Sequence, residues 1–231
     1  MKSRYPALAL ACALLSPAIA LAAPQQPPSA STSASAPAQA AQDAKPEQVI
    51  QAIVQDLDHA VAGHRTELKK DKKKLIGIIN GIFLPHFDMD YASILVLGRY
   101  ARQATPEQRQ RFTTAFYDSI THRYAEGLLN YTKGSVTVLP FRGQLNPFRT
   151  IVRTQVMLDD GKTVSVDYAF RRTDSGKWKV YDVIIEGISY ITNYRAQVAA
   201  EIQRIGLDAL IKRLQDNGAQ TLETMKKASG S

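Results

Sequence analysis

The chain has 231 residues, enough for one sizeable core or two small ones, and a formal charge of +8. Its one cysteine, Cys12, lies in the N-terminal apolar run, which excludes disulfides, Cys-metal sites and Cys nucleophiles from the rest of the chain. No later stretch approaches about 18 unbroken apolar residues, so a helical membrane span is excluded there, and the basic excess suits anionic partners such as lipid headgroups.

Residues 1–23 read as a secretory signal. Lys2 and Arg4 precede the apolar run Ala7 to Leu15, and "SPAIALAA" supplies small residues for cleavage. Ala9 stands where a lipoprotein signal needs leucine, three places before the cysteine, so plain export is the reading. Losing Lys2 and Arg4 leaves a mature charge of +6. Residues 24–45 are rich in Pro, Ser, Ala and Gln and cannot offset their ordering entropy by burial, which predicts a disordered leader.

From Pro46 the pattern turns helical, with Val49, Ile50, Ile53, Val54, Leu57 and Val61 at spacings of three and four. The run "KKDKKK" (Lys69 to Lys74) has two readings, a solvated link between helices or a contact for an anionic membrane, and the plain link is preferred. "LIGIINGIFLPHF" is apolar on nearly all sides until Pro85 stops it, so it is buried all round or faces something apolar. His86, Asp88 and Asp90 then raise the question of a metal or phosphoryl-transfer site. Pro85-His86 stand where a hydrophobic strand would precede a phosphatase-type pair, and Ala92 stands where that pair needs Thr or Val. The aspartates therefore read as a helix start, capping free N–H groups and meeting the positive end of the dipole. Thr105, Pro106 and Gln108 spell the clearest start, a capping box with proline at the first helical position. Phe112, Phe116, Ile120 and Tyr124 follow on one stripe.

Beyond Gly134 the period becomes two. "SVTVLPF" is a short strand. "RTIVRTQVML" and "TVSVDYAF" form a hairpin about Asp160-Gly161, and "TDSG" turns the chain into "KWKVYDVIIEG". Val164, Val166, Tyr168 and Phe170 share one face of the middle strand. Parity places Val152, Val156 and Leu158 beside them, with Thr154, and then Trp178, Val180, Asp182 and Ile184 from the last strand. "ISYITNYRAQVAAEIQRIG" closes at Gly206, "LDALIKRLQDNG" at Gly218, and residues 219–231 read as a frayed tail. The order predicts one α+β domain over 46–218, a four-stranded antiparallel meander packed against a helical layer.

Catalytic signatures such as G-x-S-x-G, the P-loop and H-E-x-x-H do not occur, and His59, His64, His86 and His122 are scattered without ligand spacing. Asp182 is the one acid whose parity points inward. It leaves open a small isomerase- or hydrolase-type enzyme of NTF2-like shape with Asp182 as base, against a purely structural role. The remaining surplus is apolar and fits a full core or a ligand cavity equally.

"FLPHFDMDYASILVLGRYARQATPEQRQRFTTAFYDSITHRYAEGLLNY", with "GKWKVYDVIIEGISYITNYRAQ" after the hairpins, resembles the MlaC family of toluene-tolerance proteins. The matching elements are "FD" before a helix, "VLGRYAR", "TPEQRQRF", "W-K-V-Y-D-V", "EG-I-S" and "NYR", across roughly Val49 to Gly218. The leader and the lysine run are not part of the likeness. The resemblance implies a periplasmic, monomeric, non-enzymatic shuttle that holds phospholipid as cargo, uses no cofactor or metal, and maintains outer-membrane lipid asymmetry. Its implied partners are an inner-membrane ABC transporter complex with an MCE-domain subunit and an outer-membrane lipoprotein–porin complex. A ligand-free envelope adaptor is the further alternative. Given a cavity, periodicity nominates Val152, Val156, Val164, Val166, Tyr168, Phe170, Val180 and Ile184 from the sheet. Phe112, Phe116, Ile120 and Tyr124 are expected to face them from the helix.

Overall fold

A computed structural model describes residues 44–228 except 62, 131–134, 142–145 and 159, and leaves out the side chains of 126, 128 and 130. The expected signal, the leader up to residue 43 and residues 229–231 lie outside the described residues.

Helix α1 (Pro46–Val61) buries Val49, Ile50, Ile53, Leu57 and Val61, the stripe its spacing predicts. Two helices follow with only Asp71 between them, α2 (Arg65–Lys70) and α3 (Lys72–Phe83). Asp71 caps α3 by accepting the Lys74 N–H at 2.9 Å. Pro85 falls in a 3-10 turn (Leu84–His86) that ends α3. Helix α4 (Met89–Leu97) starts at Asp88, whose carboxylate accepts the Tyr91 N–H at 3.1 Å, so this aspartate is a cap, as the sequence suggests. A 3-10 segment (Gly98–Arg102) leads to α5 (Pro106–Tyr124), where both halves of the Thr105/Gln108 capping box form, at 3.1 and 2.9 Å.

The strands run β1 (Val136–Val138), β2 (Arg149–Met157), β3 (Thr163–Arg172), β4 (Trp178–Ile185) and β5 (Ile188–Ser189), each antiparallel to the next. There are five where four are expected. The addition, β5, is a two-residue strand that turns back on the end of β4 before the next helix. The hairpin turns use Gly161 at φ +79° and Gly176 at φ +82°, a backbone that L side chains resist.

Register fixes the faces. Val152 opposes Tyr168, Thr154 opposes Val166 and Val156 opposes Val164, so these six share one face, as parity predicts. Between β3 and β4 the ladder slips: Phe170 pairs with Val180 but Ala169 pairs with Asp182, leaving Tyr181 as an extra residue. Below this bulge Val183 and Ile185 take the inner face. Ile184 and Asp182 turn to the opposite one, which corrects both expectations. A strict period of two cannot carry a strand past an inserted residue.

The chain closes with α6 (Tyr190–Ile205) and α7 (Leu207–Ala228). Asn217, at φ −147° and ψ 51°, kinks α7, and the helix then continues through the residues expected to fray. Leu222 and Met225 in that second half are buried, so it is part of the core. The buried residues form three clusters. One joins α4 to α7, one joins α1 to the inner face of the sheet, and a small one ties Leu68, Leu75 and Ile79 to Ala125 and Leu129.

Candidate functional site

The inner face of the sheet is buried at its centre and partly exposed around it. Val152, Phe170 and Val180 are fully buried against Val49, Ile50, Ile53 and Leu57 of α1 and Ile82 of α3. Around them Val54, Ile78, Phe83, Phe87, Tyr168, Trp178 and Val183 join the same cluster but stay only partly buried. Phe83 and Phe87 meet edge to face with centroids 6.0 Å apart. Phe87 is held there by the backbone, because it bridges Val180 and the next N–H, of Asp88, donates to the Val180 carbonyl at 2.8 Å.

Tyr168 is the informative member. Burial alone pushes its phenol up to about 12, yet the residue keeps accessible surface. Val156, Val164 and Val166 extend this apolar rim along β2 and β3, each partly buried. This apolar face, the basin, is bounded by α1 and the end of α3, and its lining is apolar with one phenol among it, the composition of a site for an apolar ligand.

The expected helical wall is elsewhere. Phe112 and Phe116 stack at 5.3 Å, and Phe116 meets the Tyr194 edge at 5.2 Å, inside the cluster built by α4 to α7. Ile120 packs on that same cluster, and Tyr124 Oη lies 3.0 Å from Tyr194 Oη. A stripe shows which side of a helix is buried, not against what. Here the partners are helices, so Phe112, Phe116, Ile120 and Tyr124 do not oppose the sheet. Of the walls the sequence left out of the site, "IINGIF" of α3 was visible as apolar surplus and α1 only as an apolar stripe.

Asp182 has a settled position. Its carboxylate accepts the Ser189 hydroxyl at 2.6 Å and the Ile191 N–H at 3.0 Å, while the Ser189 Oγ accepts the Thr192 N–H at 3.0 Å. Two side chains thus satisfy the free N–H groups at the start of α6. Asp88 likewise has two structural duties, the cap of α4 and an ion pair with Arg171. The Arg171 guanidinium also lies 4.5 Å from the centre of the Tyr91 ring. Among the described residues no three His, Cys, Asp or Glu side chains gather as a metal site would require.

A separate cleft of about 450 Å³ opens beside the α7 kink, lined by Lys72, Asp118, His122, Asn217 and Gln220 among others. Its charged lining sets it apart from the basin. No helix among the described residues is long and apolar enough to cross a membrane.

Residues 51–216 match the protein family described as MlaC protein. The chain is 24% identical over 182 residues to the intermembrane phospholipid transport system binding protein MlaC of Haemophilus influenzae, covering 78% of this chain and 85% of that one. It is 31% identical over 164 residues to the toluene tolerance protein ttg2D of Pseudomonas putida, covering 71% and 75%. Among solved structures, a phospholipid-binding protein of Ralstonia solanacearum, determined in complex with a phospholipid, is similar with a TM-score of 0.69 at 28% identity. That match covers 78% of this chain and 99% of the other.

Proposed function

Because this chain belongs to the MlaC family over residues 51–216, we propose that it is a periplasmic phospholipid carrier whose acyl chains lie in the basin between the sheet and α1. The observation that carries this reading is the apolar inner face of the sheet, where Tyr168, Trp178, Val183 and Phe87 stay only partly buried beside the packed centre. Apolar ligand atoms gain about 0.8 kcal/mol per buried CH₂, so burying a chain of roughly 16 carbons on an apolar site is worth roughly 12 kcal/mol before ordering costs. The phospholipid transport and phospholipid-complex names of the relatives support the same class of ligand. Phospholipid is cargo in this reading, with no cofactor involved.

The shuttle would load and unload at an inner-membrane ABC transporter complex with an MCE-domain subunit and at an outer-membrane lipoprotein–porin complex. The enzyme alternative loses its motive, since Asp182 points away from the basin and its carboxylate is engaged at the start of α6. To test the carrier reading, the protein is purified from cells without added lipid, and native mass spectrometry and lipid extraction are run on it. Phospholipid in near-stoichiometric amount is the expected result. Protein that is lipid-free in every preparation and takes none up from vesicles would sink the proposal.

A further inference from the structure

The residues 65–74, "RTELKKDKKK", hold six cations against two carboxylates, a local excess of +4 within a chain of +8. The run is the solvated link between helices that its sequence suggests, and it is itself ordered. It is helical on both sides of Asp71, and it is clamped by Leu68 and Leu75, each essentially buried and both packed on Ile79, Ala125 and Leu129. Lys69, Lys70, Lys72, Lys73 and Lys74 are all exposed on this rigid mount. Lys74 pairs with Glu67 at 2.5 Å, and Asp71 uses its carboxylate to cap α3. Lys69, Lys70 and Lys73 form no ion pair among the described residues.

The placement also works against the fold. Lys72, Lys73 and Lys74 occupy the first turn of α3, which has no acidic residue of its own, at the end where the helix dipole is positive. Asp71 at the cap and Glu67 on Lys74 offset only part of this charge, and a local rule broken in this way marks a functional site more often than a structural one. The same helix reaches the basin at its other end, where Ile78 and Phe83 line it. The type of cation selects the partner. Protein interfaces favour arginine and aromatic anchors and are poor in lysine. This run has five lysines to one arginine, and no aromatic residue. Hydrated point charges on long stems suit a laterally mobile anionic surface, and clusters of four to eight such residues are typical of segments that bind anionic bilayers.

We infer that α2 and the first turn of α3 form a docking surface for an anionic phospholipid bilayer, bringing the lipid basin to the surface of the membrane whose complex loads it. The inference extends the carrier reading, and the two fail separately, because docking is read from vesicle flotation and cargo from extracted lipid. The full mature chain is floated with vesicles of phosphatidylcholine alone and of phosphatidylcholine with about a third phosphatidylglycerol. Binding is expected to the anionic vesicles only and to fall several-fold as salt rises from about 50 to 300 mM. Replacing Lys69→Glu, Lys70→Glu and Lys73→Glu together should lower binding tenfold or more. The same charge change at Lys162, Lys177 and Lys212 should lower it by less than threefold, with thermal melts confirming that both variants fold. Equal loss in the two variants would reduce the effect to net charge and overturn the assignment. So would equal binding to neutral vesicles, which would trace it to the basin. Absence of vesicle binding overturns it too, and would hand the run to an acidic protein partner.

Discussion

Gly218 of α7 lies so close to Ser119 of α5 that a β-carbon at Gly218 would stand 2.0 Å from the Ser119 Oγ and 3.0 Å from its Cα. The serine is fixed by its own hydrogen bond to the Ala115 carbonyl at 2.5 Å, so it has little freedom to yield. Gly218→Ala should therefore push the two helices apart, costing about 2–4 kcal/mol by urea denaturation. In the pair Gly218→Ala with Ser119→Gly the nearest two contacts disappear, and the combined loss should fall short of the sum of the single losses. Strict additivity would show that the close approach is not what the glycine is for.

Asp182 gives a second prediction, one that separates a helix staple from a catalytic base. Asp182→Ala removes the acceptor for Ser189 Oγ and the Ile191 N–H and should destabilise the fold by about 1–3 kcal/mol. Asp182→Asn keeps one acceptor oxygen and should lose less. Both variants, where folded, should retain co-purified lipid at the wild-type level. A Asp182→Asn protein of unchanged stability that has lost a turnover or its lipid would reverse this account.

Helix starts, hairpin turns and the α+β order are legible in the sequence because each is a local event: Thr105 and Gln108 bond to one another's backbone, and Gly161 supplies one positive φ. The inner face of β2 and β3 is legible for the same reason. Two kinds of information are not local. The Tyr181 bulge inverts β4 below it, and nothing in "WKVYDVII" announces an inserted residue, since both faces of that strand are apolar. The stripe from Phe112 to Tyr124 has the period of a buried face, but its partners lie in α6 and α7, some seventy or more residues later in the chain. The tail illustrates a third limit. Asn217-Gly218 reads as a helix end, and the chain does break there, but Leu222 and Met225 find core beyond the kink.

The register makes the basin testable one residue apart. Val166 faces inward opposite Thr154, and Ser165 faces outward and is exposed. Val166→Lys should place a charge on the rim of the basin and reduce retained phospholipid at least tenfold, with a stability cost of about 1–3 kcal/mol. Ser165→Lys should leave both within error. Matched loss from the two substitutions, or retention by Val166→Lys, would move the lipid site off this face of the sheet.

The last prediction concerns acid. Glu201 of α6 is 7% exposed and accepts from the Arg204 Nε at 3.1 Å, while Arg213 of α7 pairs with it across the helix junction. The hydrogen bond from Arg204 is the leading cause that holds this carboxyl below its ordinary 4.5, with Arg213 adding to it against the cost of burial. A carboxyl depressed in the fold takes up its proton in the unfolded chain first as pH falls. Its contribution is therefore complete above about pH 5 and is lost as the pH drops through the folded value. Both arginines keep water contact, which limits the pair to about 1–2 kcal/mol rather than the larger cost of breaking a dry one. Glu201→Gln should lose that amount at pH 7 by urea denaturation, and the gap to wild type should narrow as pH falls from about 5 towards about 3. A gap of equal size at pH 7 and pH 3 would assign the role of Glu201 to packing rather than to charge.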